Sequence, residues 1–265
     1  QTVHGTTQNQ QDHVSEMAKS LLPLMMDIEP ADQRGRNALG MLEKWNGRMS
    51  RNRAEPLIFS TWLLELNQAI YADELGGLFR DYLKLRPRFI ASALTDRPDW
   101  CDNVNTEEIE DCHNRIRFAL KKATDKLHAT LGGDIRSWRW GDIHRARFTH
   151  RLLSGVPFLG RYANLDIDSD GGNYTVNRGA SHIKDPAHPF QHIHGPGYRA
   201  VYDLEDLRRS RFIIATGQSG NPVSSHYKDM MADWRDGRYR RMSQTRSAVA
   251  NVASATLVLT PAPGR

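Results

Sequence analysis

Gly195–Trp234 reads GPGYRAVYDLEDLRRSRFIIATGQSGNPVSSHYKDMMADW, and its texture sets how the rest of the chain is read. Two apolar, strand-like segments, YRAVYDL (198–204) and RFIIAT (211–216), are joined by a short charged connector. A Gly/Ser/Asn/Pro loop follows, and a helix is expected from about His226. β-Branched and aromatic runs bounded by turn formers predict a hairpin that opens into a tight loop. Loops held by rigid strands often carry function. Alternation along the first strand sets Arg199, Val201 and Asp203 on one face, opposite Tyr198, Ala200 and Tyr202. Arg199 and Asp203 are then placed to pair.

Outward from this hairpin the chain divides into two textures. Residues 12–28 carry Val14, Met17, Leu21, Leu24 and Met25 at three- and four-residue spacing, the mark of one buried helical stripe. A second helix is expected through Ala38, Leu42 and Trp45, ending at Asn46-Gly47. A third runs from Pro56 to Leu75, followed by Gly76-Gly77 and a shorter helix to Leu85. A further long helix is expected over 107–131, stopped by Gly132-Gly133. Beyond about residue 135, Pro, Gly, His and short β-rich runs dominate, and YTVN (174–177) and ATLVLT (255–260) add two expected strands. Helical and then strand-rich blocks define an α+β chain, with 1–135 mainly helical and 136–265 strand-rich.

The bulk composition excludes several classes. At 265 residues, 39% hydrophobic and 25% charged, the chain is long enough to bury a sizeable core. No apolar run approaches the length of a membrane span. Thirty-six basic against 31 acidic residues leave a net charge of +5, and the arginines are scattered among acids. That is a weak footprint for nucleic acid. The first residue is Gln1 rather than Met, and no signal peptide precedes it, so a piece of a longer polypeptide is expected.

The wording of Gly195–Trp234 resembles the C-terminal end of the penicillin acylase family of N-terminal nucleophile hydrolases. The resemblance extends through WGDIH (140–144), WCDNVNTEEIEDC (100–112) and LEKWNGRMSRNRAEPLIFSTW (42–62), and so covers nearly the whole chain. It implies part of a four-layer αββα sandwich whose sheets are completed by strands outside this span. It also implies hydrolysis of the amide bond of N-acyl homoserine lactones or β-lactam antibiotics. The side chain of an N-terminal Ser would attack, with the free α-amino group, near neutral in pKa, as its base. Gln1 can do neither, so nucleophile and oxyanion hole are expected upstream. The implied partners are an α subunit and the N-terminal part of the β subunit from one precursor, in a periplasmic or secreted setting, with no cofactor required.

Cys101 and Cys112 flank the acidic segment DNVNTEEIED. Two separate buried thiols are one reading, but so polar a setting gives a lone thiol little reason to be there. The resemblance implies that the two are paired, and a bridge implies an oxidising compartment. Asp203 matches the late acidic residue that, in several family members, orients the active-site His; by its residues alone it equally well caps a turn. His192 and His194 have metal-site spacing but no evident third ligand, and are expected to line the substrate cleft. Asp166, Asp168, Asp170 and Gly171 copy the first half of a calcium loop, although Asn177 stands where its bidentate Glu belongs. Calcium is therefore admitted and an acidic turn preferred. Ser219 with His226 is a nucleophile pair in name only, lacking an elbow motif. The alternative to an enzyme is a non-catalytic, calcium-stabilised interaction module.

Overall fold

The computed structural model describes residues 2–261. Helix α1 (Val3–Gln10) begins where the Thr2 hydroxyl accepts the Gly5 N–H, and it buries none of its residues. It bears no apolar stripe, so a pattern search passes over it. Helix α2 (Glu16–Met25) starts at a Ser15 cap and turns Met17, Ala18, Leu21 and Met25 inward. Asp32 caps α3 (Gln33–Leu42) by accepting the Gly35 N–H. Helix α4 (Glu55–Leu75) has Pro56 in its first turn and is buried on nearly every side. A helix apolar all round belongs in the middle of a core. Its Trp62 indole donates to the Ile116 carbonyl at 2.9 Å.

Short helices α5 (Phe79–Tyr82) and α6 (Pro87–Thr95) cover one end of α4, and α7 (Cys112–Leu131) packs along its length. The expected start of α7 near residue 107 is corrected to Cys112. Asp111 supplies the cap by accepting the Asn114 N–H, and the acids before it form a loop. Cys101 and Cys112 are disulfide-bonded across that loop, their Cα atoms 5.0 Å apart. Within the loop, Glu110 accepts the Asn103 N–H, and Asp102 accepts the Glu110 N–H.

The second half begins with α8 (Trp140–Ile143), then β1 (Arg145–Phe148), α9 (Leu159–Ala163), β2 (Leu165–Asp168), β3 (Ala180–Ser181) and β4 (His192–His194). These strands form one sheet in the order β2-β1-β4-β3. β1 runs antiparallel to β2, with Arg145 opposite Asp168, and parallel to β4, with Ala146 opposite His192. The hairpin follows as β5 (Tyr198–Val201) and β6 (Arg211–Ile214), antiparallel with Tyr198 opposite Ile214. Helix α10 (Met231–Arg235), the third strand β7 (Arg240–Arg241) and α11 (Arg246–Val252) complete the described elements. A large core centres on α4, and a smaller one under the sheets gathers Ala146, Ile167, Ile213, Ala215, Met230 and Trp234.

Three expected elements differ. The helix placed near His226 starts only at Met231, because the preceding residues are spent in successive turns. YTVN (174–177) is a turn, not a strand. The Thr175 hydroxyl donates to the Asn177 carbonyl and accepts the Gly172 N–H, a local side-chain bond that competes with ladder pairing. ATLVLT (255–260) joins no sheet among the described residues, and Leu257 and Leu259 stay exposed. A β-rich run becomes a strand only where a neighbour takes its backbone groups.

Candidate functional site

Asp203 lines a cleft of about 1190 Å³ between α1 and the β5–β6–β7 sheet. The helix is stitched to the sheet at its C-terminal end. Gln10 donates to the Ala200 carbonyl at 3.0 Å, and the Tyr239 hydroxyl donates to the Gln10 side chain at 2.6 Å. Just past β5, the Asp203 carboxylate accepts Arg209 at 2.7 Å and the N–H groups of Glu205 and Asp206. The Arg209 bond, reinforced by those backbone donors, holds its pKa below the usual carboxylate range. Asp203 is thus a fixed, ionised carboxylate that closes the β5–β6 turn. No imidazole among the described residues hydrogen-bonds to it.

The expected Arg199–Asp203 pair does not form. Arg199 shares the face of Asp203 but is 6% exposed and runs inward. It donates to the Trp234 carbonyl at 2.7 Å and to Asn177 at 2.8 Å, with its guanidinium 4.8 Å from the Trp234 ring centroid. The side chain therefore reaches past the strand toward α10, and Asp203 stays at the turn with Arg209.

His192 and His194 do not share an environment. His194 is exposed, whereas His192 is buried in a column of rings that runs from Trp140 in the large core to Trp234 in the smaller one. Trp140 stacks on His144 with centroids 4.4 Å apart, His144 on His192 at 5.1 Å, and His192 meets Trp234 at 6.1 Å. The His144 Nδ1–H donates to the Phe190 carbonyl at 2.7 Å, and His192 Nδ1 meets the Ser169 hydroxyl at 2.7 Å. His144 Nε2 has no partner among the described residues. A Cβ on Gly179 would lie 2.5 Å from that nitrogen, so only glycine lets the backbone close over the ring.

Burial pushes His144 down to about 3, with the His192 ring adding to the effect. Burial also lowers His192, to about 4, with the nearby Arg199 cation adding to it. Both imidazoles are neutral at ordinary pH. They lie inside the protein between two indoles, so His192 packs as core rather than lining the cleft that holds Asp203. Sequence reading missed His144, although WGDIH contains it. The signal available was a His four residues from a Trp on a helical turn, which stacks the two rings.

The acidic trio is engaged by arginines. Asp166 and Asp168 lie in β2, not in the expected acidic turn. Asp166 pairs with Arg145 and Arg147. Asp168 takes Arg51 at 3.2 Å and Arg235 at 2.9 Å, and Asp170 takes Arg51 at 2.7 Å. Arg51 also reaches Asp236 at 3.0 Å, so one guanidinium from the segment before α4 clasps β2 and the end of α10. No group of three metal-binding side chains occurs among the described residues.

The GQSGNP loop folds on itself. His226 faces Asp229 at 3.2 Å, while the Ser219 hydroxyl accepts the Asn221 N–H. Ser219 and His226 are linked only through backbone, the Ser219 N–H donating to the His226 carbonyl. A Cβ on Gly217 would fall 2.1 Å from that carbonyl oxygen. Close backbone approach explains the glycine.

The helical layer, paired sheets and hairpin cleft make up an α+β scaffold. A thermostable penicillin G acylase from Alcaligenes faecalis has the same fold, with a TM-score of 0.56 at 17% identity, over all of this chain and 50% of that one. The penicillin amidase family model matches residues 1–251, and the chain belongs to that family. An acyl-homoserine lactone acylase QuiP of Pseudomonas syringae pv. syringae is 25% identical over 257 residues, covering 92% of this chain and 31% of that protein. QuiP of Pseudomonas putida is 28% identical over 232 residues, covering 81% and 27%. The penicillin acylase 2 proenzyme of Pseudomonas sp. SE83 is 32% identical over 126 residues, covering 46% and 16%. The chain spans about a third of the length of the first of these relatives. No helix among the described residues is long and apolar enough to cross a membrane.

Proposed function

We propose that this chain is one part of a larger amidohydrolase that cleaves the amide bond of N-acyl homoserine lactones or β-lactam antibiotics. The observation that carries the reading is the family match across residues 1–251, joined to relatives named as acylases of both kinds. The attacking Ser, the first residue of a β subunit, and the oxyanion donors lie outside these 265 residues, and an α subunit from the same precursor is a partner. Donors preset around the developing oxyanion, and a free α-amino group as base, make such a Ser competent. No resident metal is needed for those steps. A periplasmic or secreted location fits the Cys101–Cys112 bridge.

Asp203 is assigned here as a positioning residue that holds an imidazole from the remainder of the enzyme. What supports this is a carboxylate already ionised, already anchored by Arg209, and facing a cleft. The reading is tested by producing the chain with the rest of its reading frame and following amine release. The substrates are N-acyl homoserine lactones of varied chain length, penicillin G and a cephalosporin. Hydrolysis of at least one is expected, and failure on all of them overturns the assignment. Asp203→Asn is expected to lower kcat about tenfold or more and to displace the acidic limb of the pH profile, with partial rescue in Asp203→Glu. An unchanged profile removes Asp203 from the mechanism.

A further inference from the structure

One face of the β5–β6–β7 sheet, buried at Arg199 and open to solvent at Arg241, carries three guanidinium groups without a carboxylate among the described residues. Arg199 lies deepest, with its Nε buried and unpartnered. Arg211 is half-buried, faces the cleft, and has its Nη1 buried without an acceptor. Arg241 stands directly opposite Arg211 on the neighbouring strand and also lines the cleft. Like charges directly opposite each other on adjacent strands repel, their Cβ atoms about 5 Å apart. Arg48 enters from another wall of the same cleft, and no ion pair joins it to an acid among the described residues.

The acids nearby do not answer these charges. Asp203 and Glu205 are both held by Arg209, and Asp236 is held by Arg51, Arg235 and Arg238. Arg51, also part-buried, takes three carboxylates, whereas no acid pairs with Arg211 among the described residues. A buried guanidinium nitrogen with no acceptor is costly, and a cross-strand Arg–Arg pair adds to the cost. An anion seated between the two would relieve both.

We propose that the cleft between α1 and the β5–β6–β7 sheet is a carboxylate-binding site in which Arg211 and Arg241 grip the anion and Arg48 guards its entrance. A carboxylate suits paired guanidinium donors because their planar forks match its two oxygens. The carboxylate belongs either to a small polyacid or to an acidic residue of another polypeptide segment. The site shares its cleft with Asp203, but the proposal does not rest on the acylase reading, and its test uses no turnover.

The probes are citrate and a hexaglutamate peptide, added to the chain at pH 7.5 with sodium chloride matching the ionic strength of each. Binding is read by calorimetry and by Tm. At least one probe is expected to bind with Kd in the micromolar to low millimolar range, and Arg241→Gln to weaken it about tenfold or more. Citrate alone points to a small acid, and the peptide alone to a polypeptide segment. Arg117→Gln, the same charge change on α7 outside the cleft, leaves binding unchanged. Arg241→Glu separates binding from folding: it abolishes binding yet raises the Tm of the free chain by about 2 °C, because it pairs with Arg211. Neither probe binding beyond the salt control overturns the proposal. So does equal binding by wild type and Arg241→Gln, or a fall in Tm in Arg241→Glu.

Discussion

Replacing His192 with Gln removes a titrating ring from the centre of the aromatic column, and its effect must depend on pH. The folded chain holds His144 and His192 neutral, with pKa values near 3 and 4, against an ordinary value of 6.5. The unfolded chain takes up a proton on each as pH falls through about 6.5, whereas the folded chain does not. The stability from neutral burial is therefore complete above pH 6.5 and is lost progressively on acidification toward pH 4. Each ring costs about 1.4 kcal/mol per pH unit in that window. From pH 6.5 to 5 this amounts to about 2 kcal/mol for one ring and about 4 kcal/mol for both.

In His192→Gln the amide can still meet the Ser169 hydroxyl, so the variant should fold, with a constant penalty from lost stacking against His144 and Trp234. Urea unfolding followed by tryptophan fluorescence is suited to the measurement because Trp140 and Trp234 bracket the two rings. The wild type is expected to lose about 2 kcal/mol more than the variant between pH 7.5 and 5. Titrating groups other than His144 cancel in that difference, and His144 is held low chiefly by its own burial. A gap between the two proteins that is the same at both pH values would refute the reasoning.

Four further outcomes follow from the geometry. Cys101→Ser/Cys112→Ser is expected to cost about 3 kcal/mol in urea unfolding, the chain-entropy value for so short a loop, and a loss below about 1 kcal/mol would mean that the loop's own hydrogen bonds suffice. Arg51→Ala leaves Asp168, Asp170 and Asp236 crowded and partly buried, and should cost about 3 kcal/mol; millimolar calcium added to the wild type should leave Tm unchanged, because a cation at the acidic trio would have to displace Arg51 and Arg235. Gly217→Ala, forced against the His226 carbonyl, should destabilise by about 1–3 kcal/mol, whereas Gly220→Ala, with open space around its Cβ, should be near neutral by the same measurement.

Much of the architecture was legible in the residues. α4 was expected over 56–75 and spans Glu55–Leu75, because Pro56, a long apolar run and Gly76-Gly77 mark its ends locally. The hairpin was equally legible, since alternation and turn chemistry act within a few residues of each other. Elements without a local signature were not. YTVN has strand composition but surrenders its backbone to the Thr175 hydroxyl, and ATLVLT has no neighbour to pair with among the described residues. The faces of β5 were read correctly as far as they went: Arg199 and Val201 point inward, and Tyr198 and Tyr202 outward.

The site divides in the same way. The sequence by itself determined the family wording, the hairpin, the turn at Asp203 and the cysteines available to bridge, because each depends on neighbours along the chain. Only the tertiary structure decided who meets whom. It drew Arg199 to Trp234 and left Asp203 with Arg209. It gave Asp168 and Asp170 to Arg51 and Arg235, and Asp166 to Arg145 and Arg147, rather than leaving the trio in an open loop. It buried His192 in a stack with His144, 48 positions away, and left His194 in solvent. Residue identity fixes what a side chain can bond to, but long-range packing chooses among the candidates, and burial then decides whether a His is a switch, a ligand or simply core.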